Sequence, residues 1–303
     1  MRFEVLGVLT VCGAAGEARA VRALKSRALL GALLLAPNRT LSVDDLKGAL
    51  WGERPPASAT ASLHNHIARL RRSLGAEGGD RLRSVSQGFA LHVADGELDA
   101  DDFLCWTRRA QTARQSRDWA AAHEEAAAAL ALWRGNPFAD LPQLADHPWV
   151  AALHEQRLEA LECRFDALLR LGRPDGLAAE LGLLIGEHPL REGLHRRLML
   201  ALARTHRQAE ALAVFHRLRR TLVEELGVEP GEAVQETYRA ILRGPGTPED
   251  ANTDAYAPTT TAEPPPPTPP DAVPAPPRPA QLPAPPPPGS WAARASSAPS
   301  AAP

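Results

Sequence analysis

The hydrophobic pattern changes twice along the chain. In the first stretch the apolar positions are short and partly β-branched: Phe3 and Val5, then Val8–Val11, broken by Gly7 and by Gly13-Ala14-Ala15-Gly16. This predicts a small sheet, with Ala18–Val21 as a third strand. Lys25–Leu35 is apolar on most sides and reads as a buried helix that stops at Ala36-Pro37-Asn38. Ser42 with Asp45 three residues on has the spacing of a capping box, which satisfies N–H groups left unpaired at a helix start. The helix it begins ends near Leu50, because Trp51-Gly52-Glu53-Arg54-Pro55-Pro56 cannot stay helical through its prolines.

A third helix is predicted from Ser58 to Leu74. Leu63, Ile67, Leu70 and Leu74 recur at i, i+4, i+7 and i+11 and share one face. Ser62, Asn65, Arg69 and Arg72 lie around the opposite side beside Ala61 and Ala68, His64 and Arg71 flank the apolar stripe, and Gly75 is the expected stop. Small residues on a free face permit close approach, and Asn and Arg supply the bidentate groups that read base edges. Arg81–Val85 and Phe89–Val93 then read as a hairpin turning at Gln87-Gly88. Sheet, three helices and a terminal hairpin make a winged helix, whose third helix enters the major groove while the hairpin reaches the neighbouring backbone.

From residue 95 the period becomes helical throughout. Asp99–Arg114, Trp119–Trp133, Pro148–Gly172, Asp175–Glu187, Arg191–Arg204, Gln208–Leu226 and Glu232–Leu242 are predicted as amphipathic helices joined by short turns, which suggests stacked helical hairpins. Arg173–Leu181 and Leu184 echo Arg207–Phe215 and Leu218 at the tetratricopeptide spacing. The last stretch, 244–303, holds 20 of the 29 prolines and is expected to be an extended, disordered spacer. The predicted fold is mainly α: an α+β winged-helix domain (1–94), an all-α tetratricopeptide-like domain (95–243) and a disordered Pro-rich tail (244–303).

Charge sharpens this picture. The chain of 303 residues has a formal charge of −2, yet residues 1–94 carry 13 Lys/Arg against 7 Asp/Glu, and 95–243 carry 19 against 24. A basic front on a mildly acidic chain points to a local anionic partner. Cys12, Cys105 and Cys163 are too scattered for a disulfide framework or a zinc site, no histidine pair has metal-ligand spacing, and the start lacks a signal peptide. No Gly-Lys pair exists for a phosphate loop, and no Gly-x-Ser-x-Gly elbow occurs, so no enzyme and no cofactor are expected. The longest apolar runs fall well short of a membrane span, so no membrane partner is expected and the chain reads as cytoplasmic and nucleoid-associated.

Asn65, Arg69 and Arg72 are the candidate base readers; Ser62, His64 and Arg71, with Arg83 and Gln87 on the hairpin, are the candidate phosphate contacts. Trp51 is read as a core plug between the second and third helices, while the Pro-flanked loop after it keeps Glu53 and Arg54 exposed. Trp106, Trp119, Trp133 and Trp149 sit on apolar helical faces and read as core.

Ordered blocks along 1–243 closely resemble the SARP family of actinobacterial antibiotic-regulatory transcription factors. They include Val5-Leu6-Gly7, Lys25-Ser26-Arg27-Ala28-Leu29-Leu30, Leu50-Trp51-Gly52-Glu53-Arg54-Pro55-Pro56 and Leu63-His64-Asn65-His66-Ile67-Ala68-Arg69-Leu70-Arg71-Arg72-Ser73-Leu74-Gly75. In the helical part they include Ala129–Gly135, Glu187-His188-Pro189-Leu190-Arg191-Glu192, Leu198–Leu202 and Leu222–Pro230. The resemblance implies an OmpR-type winged helix followed by a bacterial transcriptional activator domain. It also implies dimers binding direct repeats of double-stranded promoter DNA near the −35 element of biosynthetic clusters. RNA polymerase holoenzyme (sigma factor and alpha C-terminal domain) is the implied partner, contacted through Trp51, Glu53 and Arg54. Two departures stand out: Gln87-Gly88-Phe89 replaces the family's Gly-Gly-Tyr wing and so lacks the tyrosine hydroxyl, and His206 precedes Arg207 where glycine is common. The rival reading is a protein-interaction adaptor whose winged helix is only structural.

Overall fold

The computed structural model describes residues 1–244; the expected disordered tail, from 245 on, lies outside the described residues. The chain opens with strands β1 (Arg2–Glu4) and β2 (Thr10–Cys12), an antiparallel pair with Phe3 opposite Val11. The expected third strand at Ala18–Val21 is only a bridge between Cys12 and Ala18. Arg19 follows that bridge, its N–H donating to the Val11 carbonyl at 2.8 Å while its guanidinium reaches the Leu74 carbonyl at 2.6 Å.

Helix α1 (Leu24–Leu34) is buried along nearly its whole length, as its apolar composition requires. Strand β3 (Thr40–Ser42) leads straight into α2 (Val43–Trp51). The capping box is present at that junction: Ser42 Oγ accepts from the Asp45 N–H at 3.0 Å, and the Ser42 N–H donates to the Asp45 carboxylate at 3.1 Å. Helix α3 (Ala59–Arg81) buries Leu63, Ile67, Leu70 and Leu74, none more than 1% exposed. Each such burial stabilises the fold by about 2 kcal/mol. Gly75 does break the helix, at φ 74° and ψ −176°, but helical turns resume to Arg81 rather than stopping there.

The wing is β4 (Leu82–Val85) and β5 (Gly88–Leu91), joined by Ser86 and Gln87. Strand β5 lies between β4 and β3, so the wing is anchored on both edges of its inner strand. The β3 pairing explains Gly88: a Cβ there would stand 1.9 Å from the Leu41 carbonyl oxygen. Gly88→Ala is therefore expected to cost about 2 kcal/mol, read as a lower midpoint in urea unfolding with an unchanged slope.

The helical part runs α4 (Asp99–Gln115), α5 (Trp119–Ala131), a single 3-10 turn (Pro142–Leu144), α6 (Pro148–Arg170), α7 (Leu177–Glu187), α8 (Glu192–Arg204), α9 (Gln208–Leu226) and α10 (Glu232–Arg243). Consecutive helices pack as hairpins, α4 on α5, α5 on α6, α7 on α8 and α8 on α9. Trp106, Trp133 and Trp149 are half-buried against the front core, and Trp119 against a small cluster of Ala110, Ala122, Ala126, Cys163 and Ala167.

The front core does not end at residue 94. One continuous apolar cluster runs from Phe3 through Phe103, Phe138, Leu144 and Leu153 to Ala160, and a second fills α6–α10 from Leu158 to Ile241. The seam between them is stitched by main chain. Phe3 donates to the Glu97 carbonyl at 2.6 Å, Phe138 to Val5 at 3.0 Å, and Arg134 to Leu6 at 2.8 Å. At its centre Asp99, fully buried, accepts from the N–H groups of Val5 (2.8 Å) and Leu6 (3.2 Å) and from the Arg134 guanidinium (2.7 Å). No helix among the described residues is long and apolar enough to cross a membrane.

Candidate nucleic-acid interface

Two devices aim α3. On its N-terminal side Trp51 is wedged between α1 and α3: the Lys25 ammonium lies over its ring at 5.5 Å, and the His66 ring sits 6.2 Å away. Lys25 also donates to the Leu50 carbonyl, satisfying an acceptor that the end of α2 leaves open. His66, half-buried, is held below the ordinary imidazole range by its burial and then by the positive charges of Arg69 and Lys25, so it stays neutral beside the interface. On the C-terminal side Arg19 caps the Leu74 carbonyl, and a Cβ on Gly75 would stand 2.1 Å from its guanidinium. Glycine at 75 thus supplies both the positive φ and the room for that cap.

With the apolar stripe turned inward, the opposite face of α3 is free. Asn65, Arg69 and Arg72 are exposed on it, and no acidic residue occurs between Glu53 and Glu77. The Arg72 guanidinium makes only a long 3.4 Å contact to the Ala68 carbonyl on its own helix. Ser62 is half-buried at the edge of this face. The structure therefore brings the candidate base readers together on one uncompensated cationic surface.

The flanking residues divide. His64 is exposed, with its ring edge against Phe89 of the wing at 5.6 Å. Phe89 itself is 3% exposed, so the ring at the departure from Gly-Gly-Tyr faces the core. Arg71 is turned to the wing: its Nε and Nη2 donate to the Leu82 carbonyl at 2.9 and 2.7 Å, and Nη2 reaches Ser84 Oγ at 3.0 Å. It clamps the hairpin to the helix. Arg83 and Gln87 are exposed on the wing, and Glu53 and Arg54 are exposed in the loop after α2. Trp51 is half-buried between that loop and the core.

Lys25, His66 and Arg19 are interface-positioning residues that sequence reasoning passed over. Lys25 was visible only as one of two lysines among 34 basic residues, and Arg19 only through the Gly75 it requires.

A winged helix with a free, cationic third helix, sharing its core with a stack of helical hairpins, is the architecture of a DNA-binding transcriptional regulator. Comparison with known proteins agrees. Residues 22–88 match the model of the C-terminal domain of transcriptional regulatory proteins, and residues 98–242 that of the bacterial transcriptional activator domain. The chain is 37% identical over 252 residues to the regulatory protein DnrI of Streptomyces peucetius, covering 80% of this chain and 92% of DnrI. It is 39% identical over 266 residues to the regulatory protein AfsR of Streptomyces coelicolor, covering 87% of this chain but only 26% of AfsR. A solved structure of Mycobacterium tuberculosis EmbR in complex with a low affinity phosphopeptide superposes with a TM-score of 0.74 at 32% identity, over 82% of this chain and 67% of that one. The chain belongs to the SARP family, whose members are transcriptional regulators rather than enzymes.

Proposed function

We propose that this chain activates transcription from promoters of a secondary-metabolite cluster, binding direct repeats near the −35 element and recruiting RNA polymerase. The observation that carries this reading is the exposed face of α3 ahead of Gly75, free of acidic residues, with Asn65, Arg69 and Arg72 in helical register above a buried apolar stripe. In the major groove that face offers amide and guanidinium forks to base edges. Ser62, His64, Arg83 and Gln87 lie where a winged helix meets phosphates, and Arg71 holds the wing at the angle that lets them do so. The natural division is 1–94 for DNA and 95–243 for activation, acting as one body across the Asp99 seam.

Two protomers head to tail on repeats about one DNA turn apart would present the same face to polymerase. The exposed Glu53 and Arg54, on the loop braced by Trp51, are the contacts assigned to the sigma factor or the alpha C-terminal domain. The setting is cytoplasmic, on the nucleoid. Hydroxyl-radical footprinting of the chain's own upstream region is expected to show two equal protections in the same orientation; inverted half-sites would contradict the arrangement. Glu53→Ala with Arg54→Ala is expected to leave the footprint unchanged while reducing transcripts in a purified polymerase assay several-fold. If Arg69→Ala leaves promoter affinity untouched while the helices keep their protein partners, the adaptor reading replaces this one.

A further inference from the structure

The helical domain grips the winged helix at a second place, away from Asp99. The connector between α5 and α6 (132–147) folds back over α1. Glycine at 31 lets it come close: a Cβ there would stand 2.7 Å from the Leu144 side chain and 2.8 Å from that of Leu141. Asp140, in the same connector, has both carboxylate oxygens taken by the winged helix. Its Oδ1 accepts from the Leu9 N–H at 2.8 Å, and its Oδ2 from Arg27 Nε at 2.6 Å. The other arms of the Arg27 fork stay within the winged helix, Nη1 donating to the Val21 carbonyl at 3.1 Å and Nη2 to the Leu9 carbonyl at 2.5 Å. Both side chains are half-buried, so the fork is held in one geometry.

Arg27 stands near the start of α1, two residues from Lys25, and residues so spaced project to different sides of a helix. Arg27 meets the helical domain. Lys25 meets the other side: it donates to the Leu50 carbonyl and lies over the Trp51 ring, which sits 6.2 Å from the His66 ring on α3. A route of contacts therefore runs from Asp140 through Arg27 and the start of α1 to Lys25, Trp51 and His66. His66 is the neighbour of Asn65 and lies three residues before Arg69. The Arg2–Asp102 pair, at 2.9 Å, also crosses between the domains, but it joins β1 to α4. Its hydrogen bonds and ion pairs among the described residues reach neither α1 nor α3.

We propose that Asp140, a residue of the helical domain, is a positioning residue for DNA recognition. Through Arg27 it fixes the first turns of α1, and through Lys25 and Trp51 it sets how α3 is seated in the major groove. The proposal rests on the reading of α3 as the base-reading helix. Base-reading forks discriminate only when their supporting shell holds them in place, and here part of that shell comes from outside the winged helix. An asparagine at 140 would offer one acceptor where two donors converge, leaving the Leu9 N–H or Arg27 facing an NH2 group.

The test is fluorescence anisotropy with the full chain on a cognate duplex, selected from a random pool by wild type, and on its scrambled counterpart. If wild type enriches no sequence, the reading of α3 fails and this proposal with it. Asp140→Asn is expected to lower the ratio of cognate to scrambled affinity about three- to ten-fold, with scrambled affinity and its salt slope unchanged. Asp102→Asn is expected to lower Tm and leave the ratio alone. Arg27→Lys, which keeps the charge but loses the fork, should repeat the loss and serves if Asp140→Asn does not fold. In fluorine NMR of fluorotryptophan protein, the Trp51 line, assigned through Trp51→Phe, should move in Asp140→Asn and stay in Asp102→Asn. A folded Asp140→Asn or Arg27→Lys with an unchanged ratio overturns the proposal, as does a stationary Trp51 line. So does an equal fall in Asp102→Asn, which would assign the effect to the domain junction as a whole. Equal weakening on both duplexes also overturns it, being the signature of a smaller folded fraction.

Discussion

Asp99→Asn is expected to destabilise the protein by about 3 kcal/mol, a fall of about 10 °C in Tm, although the substitution changes neither size nor shape. The carboxylate sits at zero exposure and receives three donors: two main-chain N–H groups from the segment after β1 and one guanidinium. An amide has one acceptor atom, so whichever way it is turned its NH2 group faces Leu6 N–H and Arg134 or faces Val5 N–H. Two donors then oppose each other in a buried place, and the cost is that of leaving them unmade rather than the modest net value of a hydrogen bond.

Glu4→Gln is the control. Glu4 also reaches Arg134, at 3.6 Å, but it is partly exposed and should change stability by less than about 1 kcal/mol. The pH dependence has a definite sign. Burial raises the Asp99 carboxyl above its usual value, so the folded state takes up its proton before the unfolded state does. The contribution of this group is thus greatest in acid and is lost as pH rises through the raised folded value. The stability gap between wild type and Asp99→Asn should therefore widen as pH is lowered from 7 toward that raised value. A gap that narrows would mean that the hydrogen bonds to the carboxylate outweigh its burial.

What could be read in advance depended on the range over which each feature is decided. The stripe Leu63-Ile67-Leu70-Leu74 and the Ser42–Asp45 box are local, and the structure has both. The helices from α4 to α10 announce themselves by period and punctuation, with ends displaced by a residue or two. Strand β3 was not anticipated, because Thr40-Leu41-Ser42 is three residues long and becomes a strand only by pairing with Phe89 and its neighbours. The glycine at 88 was visible, but only as a turn residue; its reason lies in the Leu41 carbonyl on another strand.

Asp99 was hidden by its context. In Asp99-Ala100-Asp101-Asp102 it reads as acid at a helix start, favourable to the dipole and exposed, and only the docking of Val5 and Leu6 buries it. Arg71 shows the same limit at the interface. Its position on the flank of the helix follows from periodicity, but its engagement with Leu82 follows from where the wing folds back. The division near residue 94, natural in composition and charge, cuts through a single apolar cluster. Head and helices therefore share their stability, and a lesion such as Asp99→Asn should be felt in both.

The double variant Arg69→Ala, Arg72→Ala is expected to erase most discrimination between cognate and scrambled duplexes while leaving the salt dependence of binding nearly intact. Each bidentate base contact contributes about 1–3 kcal/mol of discrimination, so losing two lowers the specificity ratio roughly 30-fold to 10⁴-fold. The counter-ion term is different in kind. Log affinity falls by about 0.9 per log unit of salt for each phosphate neutralised, so a base-reading arginine leaves that slope alone and a phosphate-binding one lowers it by about one. Arg83→Ala, on the exposed wing, should do the latter: a nearly uniform loss on all sequences and a slope smaller by about one per protomer. The two variants thus predict opposite signatures from the same titrations at 50 to 200 mM salt. Equal weakening of cognate and scrambled DNA by the double variant, with a slope reduced by about two, would move Arg69 and Arg72 to the phosphates. Sequence reading would then rest on Asn65 and on the deformability of the duplex.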